Sequence, residues 1–112
     1  MYLSKWARPD ISLAVSFLCT RVQAPDEHDY KKLGHMMKYL QGSAAIPLVL
    51  RNCGDATAIY IDGAHAVHAD MKGHAGVYVT EGGGAIYTSS TKLKLNTTSS
   101  TETELVAVGE KL

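Results

Sequence analysis

Three runs decide the fold of this 112-residue chain: Ala58-Ile59-Tyr60-Ile61-Asp62-Gly63, then Gly76-Val77-Tyr78-Val79, then Ala85-Ile86-Tyr87-Thr88. Each is short, rich in β-branched and aromatic residues, and closed by turn chemistry, the pattern of strands. Asp62-Gly63 ends the first run. Glu81-Gly82-Gly83-Gly84 makes a tight return between the second and third. Loops this short join antiparallel neighbours, so the expectation is a three-stranded antiparallel sheet over 58–62, 76–80 and 85–90. Before the sheet, Ile46, Leu48 and Leu50 alternate with Pro47, Val49 and Arg51, which predicts an edge strand because Pro47 cannot donate to a ladder. After it, Lys92, Lys94 and Asn96 alternate with Leu93 and Leu95, which predicts one more extended piece with a basic outer face.

Helices flank the sheet. Pro9 and Asp10 suit a first turn, and Ile11, Ala14, Val15, Leu18 and Val22 fall on one helical face, predicting a helix over 10–22. Pro25 ends it and opens a second helix over 26–41, with Asp26, Glu27 and Asp29 in the first turns where the helix dipole favours negative charge. Tyr30, Leu33, Met37 and Leu40 form its apolar face, and Gly42 is a natural stop. Near Ser100, Ser99-Ser100-Thr101-Glu102 and Thr101-Glu102-Thr103-Glu104 both match the capping-box pattern, so a helix starts there. The class is therefore α+β: two N-terminal helices, the sheet, and one further helix.

Composition narrows the function. Eleven basic and eleven acidic residues cancel, so no overall field steers a polyanion to the chain and any nucleic-acid contact must be local. The longest apolar run, Ala44 to Leu50, is broken by Pro47 and is far short of the ~20 residues of a membrane span. No signal peptide is legible, and Cys19 and Cys53 lack metal or redox spacing, so they read as buried or idle thiols of a reducing compartment, cytoplasmic or nuclear rather than secreted.

The chemistry centres on Asp62, at the end of a central strand, and Glu104, in the first turn of the capped helix. Two carboxylates converging from a strand end and a packed helix can hold Mg²⁺. Spacing alone favours the plainer reading, in which Asp62 starts an Asp-Gly turn and Glu104 complements the helix dipole. His65, His68 and His74 share one polar loop without a fourth ligand at zinc spacing and read as solvated. Asp70, near the tip of that loop, also reads as solvated. Lys92 and Lys94 could touch phosphates as a basic strip or block edge pairing.

The segment from Tyr60-Ile61-Asp62-Gly63 to Gly76, with Tyr87-Thr88-Ser89-Ser90-Thr91-Lys92 and Ser99-Ser100-Thr101-Glu102-Thr103-Glu104-Leu105-Val106-Ala107, resembles the ribonuclease H domain of copia-type LTR retrotransposon polyproteins. Arg8-Pro9-Asp10-Ile11 and Lys38-Tyr39-Leu40-Gln41-Gly42 are similar to the end of the reverse transcriptase in the same polyproteins. These motifs recur in order across almost the whole chain. The resemblance implies a reverse-transcriptase tail over 1–44 and the N-terminal half of a ribonuclease H-like domain over 45–112. It implies hydrolysis of the RNA strand of an RNA/DNA hybrid with four carboxylates and two Mg²⁺, Asp62 as the first-strand aspartate and Glu104 as the first-helix glutamate. Glu102 is the rival, better placed for the cap. The family's other two aspartates would follow Leu112, so little or no cleavage is expected of these 112 residues. Partners implied are the hybrid, and the rest of the polyprotein or another protein covering the exposed helix faces; the family works in cytoplasmic virus-like particles.

Overall fold

The structure, a computed structural model, describes residues 2–51, 54 and 56–111. These form an α+β arrangement of four α-helices and one three-stranded antiparallel sheet. The chain divides into two compact units, 1–48 and 49–112.

The first unit is helical: α1 (Tyr2–Trp6), a 3₁₀ turn (Pro9–Ile11), α2 (Ser12–Cys19) and α3 (Glu27–Gly42). The helix expected over 10–22 is shorter at both ends. Pro9 enters it through the 3₁₀ turn, and Thr20 closes it by donating its backbone N–H and its hydroxyl to Phe17 O at 3.0 and 2.7 Å. Bonds to the residue three back tighten a last turn and stop it. Val22, expected on the apolar face, is accordingly exposed. Cys19 is an exposed free thiol; Cys53 and most of the turn expected at Asn52 to Asp55 lie outside the described residues.

Helix α3 begins with a reciprocal cap. Asp26 Oδ1 accepts from Asp29 N–H at 2.9 Å, and Asp29 Oδ2 accepts from Asp26 N–H at 3.0 Å. Asp29 is buried, and Arg21 meets it at 3.0 Å. At the other end, Arg8 reaches Ser43 Oγ at 2.5 Å and Asp10 at 2.8 Å, while Tyr39 OH donates to Asp10 at 2.7 Å. The Arg8-Pro9-Asp10 motif is thereby fastened to the end of α3, and the guanidinium and phenol hold the Asp10 carboxyl down at about 2.

The second unit carries β1 (Ala58–Ala64), β2 (His74–Thr80), β3 (Ala85–Lys92) and α4 (Ser100–Lys111), with β2 central. The register sets Asp62 opposite Gly76 and Gly76 opposite Ser90. A bulge at Val79/Thr80 lets the Thr80 hydroxyl close the following turn, accepting from Gly82 N–H and donating to Gly84 O. Residues 46–50 form no strand. Pro47 has no N–H, and just beyond the stretch Arg51 O accepts from Gly83 N–H of the hairpin at 3.2 Å. The extended piece expected beyond Lys92 also fails: Leu93 turns in to the core, donating its N–H to Gly73 O at 2.9 Å, and the chain bends at Lys94 so that Leu95 is exposed.

Helix α4 starts as expected. Ser99 Oγ accepts from Glu102 N–H at 3.2 Å, and the Glu102 carboxylate accepts from Thr98 N–H and hydroxyl at 2.6 and 2.7 Å. Those two donors hold the Glu102 carboxyl below its usual range. The helix lays Ala107 against Ala75 and Leu93, with Ile61 and Val106 at the margin. The loop over 65–73 is held by His68 N–H donating to Lys72 O and Met71 N–H to His68 O, with Ala66 and Met71 in the left-handed region at φ 52° and 60°.

Candidate functional site

Asp62 and Glu104 flank one contact between β1 and α4. A Cβ placed on Gly63 would lie 3.1 Å from Thr103 O, 3.2 Å from Thr103 Cγ2 and 3.3 Å from Ala107 Cβ, so helix and strand approach closely enough that any added side chain has to push α4 back by a few tenths of an ångström. Asp62 is the residue before Gly63, and Glu104 the residue after Thr103. Strand alternation carries the Asp62 side chain off the face that Ile61 and Gly63 turn to α4, and its Oδ1 accepts from Gly63 N–H at 2.9 Å. Both carboxylates are exposed.

Among the described residues no group of three His, Cys, Asp or Glu is gathered to hold a metal ion. The donor set decides what fits. Two exposed carboxylates are hard oxygen ligands of the kind one Mg²⁺ takes while keeping most of its water shell, but Asp62 stands on the side of the sheet away from α4, so the structure does not turn it toward Glu104. They do not fit a two-ion clamp, which needs carboxylates shared between ions about 4 Å apart. Glu102, the rival to Glu104, is engaged in the cap.

The two lysines part company. Lys92 Nζ lies 2.7 Å from Asp70 Oδ2, so its charge is already met; Asp70 is an exposed loop residue that also pairs with β3. That lysine holds the Asp70 carboxyl below its usual range. Lys94 is exposed at the bend, and its N–H donates to Glu110 at 3.1 Å.

The histidine loop differs most from the expectation. His68 and His74 are buried, with His68 Nε2 3.0 Å from His74 Nδ1 and His74 Nε2 2.7 Å from Ser90 Oγ. His65 Nδ1 lies 3.1 Å from both the Thr97 and Thr103 hydroxyls, which are 2.6 Å apart, and Thr103 donates back to Ser99 O. Burial pushes the His68 and His74 pKa values down, helped by Lys92 at His68 and by His68 and Lys111 at His74. One signal for this was present in the sequence: His74 stands two residues before Gly76 at strand spacing, which makes it part of β2 and not of the loop. What covers it, a loop folding back from His68, has no local signature.

No family model, no curated protein and no solved structure matches the chain, so the chemistry rests on these residues.

Proposed function

We propose that 49–112 is the N-terminal half of a ribonuclease H-like nuclease domain and that 1–48 is the helical tail of a copia-type reverse transcriptase. The reading is supported above all by the Gly63–Thr103 contact, which sets Asp62 and Glu104 one residue either side of a single helix–strand approach. In the family a carboxylate from each of these elements serves Mg²⁺. Bound there, the ion would polarise a phosphodiester and lower the pKa of a coordinated water. The Gly63 N–H bond holds Asp62 off the α4 face, so Asp62 would have to turn around the edge strand β1 to join Glu104 at the ion.

These 112 residues hold two of the family's four carboxylates, so they bind Mg²⁺ weakly and do not cleave a hybrid. Mg²⁺ titration followed by amide NMR tests this: Asp62 and Glu104 shift together with millimolar-scale affinity, and Asp62→Asn removes both shifts, with no cleavage of an RNA/DNA hybrid above background. Shifts centred on Asp70 and Glu102, or hybrid cleavage abolished by Asp62→Asn, would refute the ligand assignment. A second reading, a non-enzymatic module that docks on another protein, draws on α3, where Tyr30, Leu33 and Met37 stand exposed on the face meant for burial.

A further inference from the structure

Residues directly opposite one another in an antiparallel pair share a face, so the register lays two rows across the side of the sheet away from α4. One is Asp62, Gly76 and Ser90; the next is Tyr60, Tyr78 and Thr88. His74, two residues before Gly76, shares that side. Its ring stands between Ser90 Oγ, 2.7 Å from Nε2, and His68 Nε2, 3.0 Å from Nδ1. A hydroxyl, a base and a group orienting the base, each at hydrogen-bond distance from the next, form the arrangement that activates a serine nucleophile.

We infer that Ser90 is a nucleophile toward small carboxylic esters, with His74 as its general base and His68 holding the His74 ring. The required tautomer is consistent along the chain: His74 Nδ1–H donates to His68 Nε2, which leaves His74 Nε2 to accept from the Ser90 hydroxyl. Ser90 Oγ attacks the ester carbonyl carbon while its proton passes to His74 Nε2. The bond from that carbon to the alcohol oxygen then breaks, and the departing alkoxide takes the proton from His74. The products are an acyl ester on Ser90 and the free alcohol, with no other reactant.

The surroundings fit that substrate. Gly76, directly opposite Ser90, has no heavy atom within 4 Å of where a Cβ would stand, which leaves room for the carbonyl. The Tyr60 and Tyr78 rings, 6.1 Å apart and partly exposed, border the space with apolar surface for a flat acyl or aryl group. Thr88, two residues from Ser90 on the same side, carries a buried hydroxyl without a partner among the described residues, a spare donor for the developing oxyanion. Both imidazoles are shielded from water, and the charges around them are Lys111 from α4, Lys92 from β3, Asp70 from the loop and Asp62 from β1. Burial, His68 and Lys111 hold the His74 pKa below its ordinary 6.5, so at neutral pH His74 is unprotonated and competent as a base. None of these three residues belongs to the carboxylate pair, so this inference stands apart from the nuclease reading.

The test uses the whole chain and p-nitrophenyl acetate. At pH 7 one acetyl group is expected on Ser90, found by peptide mass mapping and removed by hydroxylamine, which cleaves the ester and spares any acetyl-lysine. His74→Gln slows its formation at least about a hundredfold, His68→Asn slows it less, and Ser90→Ala abolishes it. In the unaltered chain the rate at Ser90 levels off on a midpoint below pH 6.5, a readout independent of whether any variant folds. No acetyl on Ser90, a rate that climbs without levelling through pH 9, or a folded His74→Gln chain that reacts as fast would each overturn the proposal.

Discussion

Gly63 and Gly76 occupy neighbouring strands and differ in what lies above them. At Gly63 an added methyl meets Thr103 and Ala107 at 3.1 to 3.3 Å, whereas at Gly76 it meets nothing within 4 Å. Gly63→Ala is therefore expected to force α4 away from β1 and destabilise the second unit by about 1–3 kcal/mol. Gly76→Ala, relieved of glycine's backbone entropy, should gain about 0.5–1 kcal/mol. Thermal melts of the two variants should move in opposite directions, and shifts of the same sign would mean that the helix does not sit where Gly63 places it. At this scale Asp62 reads in the sequence as a strand-end carboxylate and Gly63 as the partner of a turn, whereas β1 runs through both to Ala64 and Gly63 is where α4 touches the strand. Its role as a contact point depends on a helix about forty positions away.

At the scale of the element, the parts that signalled themselves are those whose information is local. The Ser99-to-Glu102 cap of α4 and the three β-rich runs are each closed by their own neighbours, and each formed. The misread pieces had the right alternation and lacked something else. Residues 46–50 alternate, yet Pro47 has no N–H to give to a ladder, and Leu95 alternates with Leu93, yet Leu93 is drawn into the core by Gly73 and Ala107. Helix α2 was over-extended because apolar spacing continues to Val22 while the Thr20 hydroxyl ends the helix. The cap of α3 is a local device of the legible kind. Asp26→Ala removes the acceptor for Asp29 N–H and leaves one orphan donor, so it should cost about 1 kcal/mol, read as faster amide exchange through the first turn of α3. Unchanged exchange at 27–30 would show that Arg21, which contacts both acids, holds that turn without the cap.

On the scale of the whole molecule, the two units should yield to acid in different windows. His68 and His74 have pKa values below 6.5 in the folded chain and about 6.5 once unfolded, so the unfolded state binds more protons between those values. Their contribution is complete above pH 6.5 and is lost as pH falls from there toward the folded values. Asp10, held at about 2, contributes fully above its unfolded 3.8 and loses that contribution only as pH falls toward 2. Sheet signals of 49–112 should thus fade on acidification while the helical signal of 1–48 persists, followed by NMR through a titration from pH 7 to 3. Simultaneous loss would mean that the histidine pair does not govern the second unit. The buried pair has one further consequence, carried by the loop above it. Ala66 and Met71 hold a backbone twist that costs an L-residue about 1–2 kcal/mol each, so the closed loop is a loaded clasp whose release returns stored energy. The two buried imidazoles lie in and beneath that clasp, and springing it would let water in to them.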